Sequence, residues 1–112
     1  MVSSSLLKGT LQTIILKLLE DNGRMYGYEI TQKVKEITTG EVKLTEGALY
    51  PALHKLEAEG FLETSTELAQ GRERKYYQLT KQGSHEVISK LDEARSFMQQ
   101  LQALLNLKPA VK

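Results

Sequence analysis

The chain has 112 residues, 40% of them hydrophobic and 26% charged, which suits one small globular domain and is too short for two independent cores. The absence of cysteine excludes disulfides and thiolate metal sites, and a formal net charge of +1 by itself says nothing about nucleic acid. The most apolar stretch, TIILKLL at Thr13 to Leu19, is interrupted by Lys17 and is far too short to span a bilayer, and MVSSSLLKG lacks the basic start and long apolar run of a signal peptide. The expectation is a soluble, cytoplasmic protein with no membrane partner.

Leu7, Leu11, Ile14, Ile15, Leu18 and Leu19 recur at helical spacing after a serine run that can cap, predicting an amphipathic helix from Leu6 to about Glu20. Asp21, Asn22 and Gly23 stop it. A second helix is predicted from Tyr26 to about Thr38 on the stripe Ile30, Val34 and Ile37, with Gly40 ending it. The third is TEGALYPALHKLEAEGFL. Leu49, Ala52, Leu53 and Leu56 share one face, Thr45 is the natural N-cap, Glu46 suits the positive end, and Gly60 supplies the left-handed stop. Gly47 and Pro51 are poor helix formers in its first turns, spaced as if to bend them.

After Gly60 the pattern changes. Phe61 to about Glu67 and Arg74 to Thr80 hold β-branched and aromatic residues around a glycine-containing loop, predicting a two-stranded hairpin. Alternation puts Arg74, Tyr76 and Gln78 on one face and Lys75, Tyr77 and Leu79 on the other, so one tyrosine packs inward. From Thr80 to about Asn106 the chain reads as a helix again, with Pro109 beyond its end. Val87, Leu91, Ala94, Met98, Leu101 and Leu105 alternate in steps of four and three, a heptad seam widened by Ile88, Phe97 and Leu104. Such a helix is about 39 Å long at about 1.5 Å per residue, more than the first three helices cover, so the surplus stripe calls for a second chain. The whole is mainly α with a two-stranded β-hairpin. Its element order is that of a winged helix-turn-helix, residues 1–80, followed by a C-terminal dimerisation helix and short tail, residues 81–112.

Three segments carry a resemblance: GYEI at Gly27 to Ile30, GALYPALHKLEAEGF at Gly47 to Phe61, and GRERKYYQLTKQG at Gly71 to Gly83. In this order and spacing they closely resemble the PadR-like transcriptional regulators, in the compact form with a single C-terminal helix. The resemblance implies a homodimeric protein that binds a double-stranded DNA operator, usually as a repressor, with its third helix in the major groove. Some relatives release DNA on binding aromatic or drug-like compounds, but the last helix varies too much in the family to carry an effector across. Phe97, Met98 and Leu101 could line a pocket for a small aromatic or drug-like effector at the dimer interface, the alternative being packing that the heptad already explains. One departure is Ala48, where many relatives carry threonine, so a hydroxyl contact to DNA is absent there.

If the third helix reads DNA, Thr45, Gly47, Tyr50, Pro51, His54 and Lys55 are the residues it presents, Tyr50, Pro51, His54 and Lys55 lying opposite Leu49, Leu53 and Leu56; the alternative is an ordinary solvated face. Arg72, Arg74 and Lys75 lie at and just after the hairpin tip, where basic side chains can reach phosphates or a minor groove. From Arg72 to Lys81 the four basic residues Arg72, Arg74, Lys75 and Lys81 face one acidic residue, Glu73, so positive charge is concentrated locally. Lys8 and Thr10 stand where backbone contacts could be added. His54 and His85 are the only histidines and neither has a companion at ligand spacing, so no metal site is expected. No glycine-flanked nucleophile turn points to catalysis, and neither an enzyme nor a cofactor is expected. The competing reading is a winged-helix module that pairs through its last helix for protein contacts without specific DNA binding.

Overall fold

The computed structural model describes Val2 and residues 4–108. The helix expected from Leu6 to Glu20 is two helices, α1 (Ser4–Lys8) and α2 (Leu11–Asn22). The break lies at Gly9 and Thr10. Thr10 turns its backbone N–H and its hydroxyl onto the Leu7 carbonyl, at 3.0 and 3.1 Å, so the side chain competes with helix continuation. α2 then buries Leu11, Ile15, Leu16, Leu18 and Leu19 and stops where Gly23 takes a φ of 74°.

Met25 and Tyr26 form a two-residue strand, β1, ahead of α3 (Gly27–Ile37). Tyr26, expected to start the helix, is extended instead, and its N–H donates to the Glu29 carboxylate at 3.0 Å. Ile30 and Val34 enter the core, but Ile37 is 65% exposed, so the expected stripe ends a turn early. The following segment packs through Val42 and Leu44, held by Thr38, whose hydroxyl donates to the Val34 carbonyl at 2.8 Å and accepts from the Val42 N–H at 3.1 Å.

α4 (Glu46–Ala58) runs unbroken through Pro51 and buries Leu49, Leu53 and Leu56 against α2 and α3. Gly60, with φ of 86°, ends it as expected. The hairpin strands β2 (Leu62–Ala69) and β3 (Arg72–Leu79) extend closer to the tip than expected. Gln70 and Gly71 form the two-residue turn at φ of 53° and 77°, the left-handed pair that matches strand twist. The sheet has three strands, antiparallel in the order β1-β3-β2, because Met25 pairs with Tyr77 and Tyr26 with Tyr76. Tyr77 is the inward tyrosine, fully buried.

α5 (Lys81–Leu104) is anchored at its start by Thr80, whose hydroxyl donates to the Gly60 carbonyl at 2.6 Å and accepts from the Gly83 N–H at 3.0 Å. Its first turns pack on α2 through Val87, buried, and Leu91, half-buried. From Phe97 onward its apolar side chains are exposed, and Asn106 ends it at φ of 55°. The expected terminator Pro109 lies outside the described residues.

Candidate nucleic-acid interface

The first turn of α4 is capped and otherwise bare. The Thr45 hydroxyl accepts from the Ala48 N–H at 3.2 Å, and Glu46 sits at the positive end of the helix. A side chain built on Gly47 would meet no atom within 4 Å, so nothing inside the protein requires glycine there. Pro51 has no N–H to give the Gly47 carbonyl, which leaves an acceptor on an exposed turn. Thr45, Gly47, Pro51, His54 and Lys55 are all exposed; Gly47, Pro51 and His54 lie on the side of α4 away from Leu49, Leu53 and Leu56, Lys55 on its flank, and Thr45 at the N-cap.

Tyr50 is placed differently from the sequence expectation. It is half-buried and packs on the core edge, its hydroxyl pressed against Gly27, where a methyl group would lie 2.8 Å from the ring carbon Cζ and overlap the hydroxyl itself. The Gly27 of the GYEI segment therefore serves as the seat for a tyrosine of the next helix. Tyr50 also lies near His54, with ring centroids 6.3 Å apart.

The basic wing residues divide between two faces. Arg72 and Arg74 share the outer face of β3 with Tyr76, while Lys75 lies on the face of Tyr77 with its side chain still exposed. Lys75 Nζ lies 3.8 Å from Glu57 Oε1 on α4 and 5.4 Å from the Tyr77 ring centroid, which ties the wing to the helix and partly neutralises the lysine. Burial pushes the Tyr77 phenol above its ordinary range. Tyr50, His54, Arg74 and Lys75 meet at one shallow cleft of about 310 Å³, together with Tyr26, Gly27, Glu73 and Tyr77. Thr45, Gly47, Lys55 and Arg72 lie outside that cleft. Of the two earlier α1-region candidates, Lys8 is exposed, whereas the Thr10 hydroxyl is engaged with Leu7.

Glu57 and Tyr26 escaped the sequence reading. Nothing in the periodicity singles out Glu57, and Tyr26 reads as the first residue of a helix; the signal available for Tyr26 is its position immediately before Gly27. Among the described residues no group of three histidine, cysteine, aspartate or glutamate side chains could hold a metal ion, and no helix is long and apolar enough to cross a membrane.

Residues 15–89, covering the core helices, the wing and the first turns of α5, match the model of the transcriptional regulator PadR-like family. The chain belongs to the PadR-like family of transcriptional regulators. This PadR-like chain is similar to a transcriptional regulator from Clostridium thermocellum, at 29% identity and a TM-score of 0.82, over 92% of this chain and 97% of that one. It is 36% identical over 84 residues to an uncharacterized protein of Lysinibacillus sphaericus, covering 74% of this chain and 76% of the relative. It is also similar to Bacillus subtilis PadR, solved in complex with operator DNA, at 35% identity and a TM-score of 0.64, over 72% of this chain but 46% of that one. The family match ends at residue 89, so the seam positions Leu91, Ala94, Met98, Leu101 and Leu105 lie beyond it.

Proposed function

We propose that this PadR-like regulator is a homodimeric, sequence-specific DNA-binding protein that represses transcription by occupying its operator. α4 enters the major groove through its exposed first turn, with Thr45, Gly47, His54 and Lys55 toward the bases and backbone. Tyr50 supports that turn from the side. Arg72 and Arg74 reach phosphates or the adjacent minor groove, and Lys75 holds the wing at its angle to α4. Residues 1–80 form the DNA-binding unit and residues 81–112 pair with the second copy, setting two half-sites about one helical turn apart.

The observation that carries this reading is the bare first turn of α4. A glycine that no internal contact demands and a proline with no N–H to offer the Gly47 carbonyl stand on an exposed surface, beside two arginines, in a chain similar to one solved on operator DNA. The test is fluorescence anisotropy on a duplex from its own promoter region, titrated across salt. Log K should fall steeply with log salt, and Arg72→Ala and Arg74→Ala should each flatten the slope by about 1. A promoter bound no more tightly than random duplex refutes the specific regulator.

A further inference from the structure

Five side chains from three neighbouring segments form one continuous run on the outer face of the wing. Glu67 Oε2 accepts from Arg24 Nη2 at 2.6 Å, and the Arg24 guanidinium lies 4.3 Å from the centroid of the Tyr76 ring. Tyr76 meets Tyr26 edge to face, with centroids 5.4 Å apart and planes at 79°. The run ends with the Arg74 guanidinium 4.6 Å from the centroid of Tyr26.

The register makes this arrangement informative. Glu67 is the residue directly opposite Arg74 across β2 and β3, the position where opposite charges ordinarily pair. Here Arg24, from the turn before β1, takes that carboxylate instead. Among the described residues no carboxylate pairs with Arg74, which rests on an aromatic face that orients a guanidinium without neutralising it. Tyr26 is itself held by pairing with Tyr76 and by its N–H on Glu29, so the backbone beneath the ring under Arg74 is fixed from two sides.

We propose that Tyr26 is the positioning residue that aims Arg74 at DNA, and that Arg24 keeps Arg74 available by occupying Glu67. This rests on the wing being a DNA contact. A long, flexible arginine ordered on a ring before DNA arrives loses less conformational freedom on binding than one ordered by the phosphate alone.

The test uses the full chain and the promoter duplex at one salt concentration. Tyr26→Leu, which keeps an apolar side chain but removes the ring, should raise Kd about two- to fivefold, while Tyr26→Phe should leave it unchanged. In an Arg74→Ala background Tyr26→Leu should add nothing. Arg24→Ala should also raise Kd, and Glu67→Gln should restore it, whereas Glu63→Gln, removing the same charge from the same face, should not. Equal losses from Tyr26→Leu with and without Arg74, failure of Glu67→Gln to rescue Arg24→Ala, or equal rescue by Glu63→Gln, overturns the proposal while the wing remains a DNA contact. Wild-type binding by Arg74→Ala overturns both. Thermal melting of each variant reports folding, and the Arg24 arm leaves Tyr26 intact should the leucine variant fail to fold.

Discussion

Gly47 separates what a residue does for the fold from what it does for a partner. Inside a helix glycine costs about 1 kcal/mol relative to alanine, because it has more backbone freedom to lose. Gly27 has a visible reason for that cost, since any side chain there would collide with Tyr50. Gly47 has none, and its surroundings are open. Gly47→Ala should therefore raise stability by up to about 1 kcal/mol, seen as a higher melting temperature, while weakening promoter binding. The opposite signs matter. A variant that melts higher and binds DNA as well as wild type would show that α4 does not bring this turn close to a duplex. The same contrast clarifies the pairing of Gly47 with Pro51. The sequence reads the two as a device for bending the helix, and α4 carries Pro51 inside a span continuous from Glu46 to Ala58. The visible consequence is an exposed turn with a slim profile, where Pro51 has no N–H to offer the Gly47 carbonyl.

At the scale of elements, the join between wing and last helix is tightly constrained. Thr80 bonds both the end of α4 at Gly60 and the start of α5 at Gly83, while Gly83 lies against the backbone carbonyl of Phe61. A methyl group at Gly83 would overlap that carbonyl and come within 3.3 Å of Leu79 Cδ2. Backbone cannot rotate away as a side chain can, so Gly83→Ala should destabilise the fold by about 1 to 3 kcal/mol, measured by urea denaturation. Unchanged stability would mean that α5 is docked more loosely than this. Elements whose signals are local were legible in the sequence: Thr45 and Gly60 bracket α4, and the heptad marks the long α5. What escaped depends on partners distant in the chain. Met25 and Tyr26 are too few to show a strand period and become one only by pairing with Tyr77 and Tyr76. Strand alternation separated Arg74 from Lys75, but only packing shows that Lys75 meets Glu57 and that Tyr77 is the buried ring. The break at Thr10 was hidden by an apolar stripe that continues through it, because periodicity records which face is buried and not whether a hydroxyl interrupts the backbone.

The whole molecule is longer than its core. Its radius of gyration is 15.3 Å and it extends 52 × 30 × 25 Å, whereas a compact chain of this length would have a radius near about 13 Å. The excess lies along α5, whose start is packed and whose far half carries Phe97, Met98, Leu104 and Leu105, each more than half exposed. An apolar stripe of this kind, continuous with the packed start of the same helix, fits pairing with a second copy better than solvent. Two substitutions in one seam then behave differently. Leu91 is half-buried on the core of its own chain, so Leu91→Asp should lower the melting temperature as well as disrupt pairing. Leu101 is 37% exposed and lies beyond that core, so Leu101→Asp should leave helix content near that of wild type while sedimentation shows a monomer. That monomer should also bind the promoter far more weakly, because the second half-site no longer adds to the first. A Leu101→Asp protein that sediments as a dimer would remove the seam. One that becomes monomeric yet keeps full affinity would instead show that a single copy carries the recognition, and that α5 serves some purpose other than spacing two reading helices.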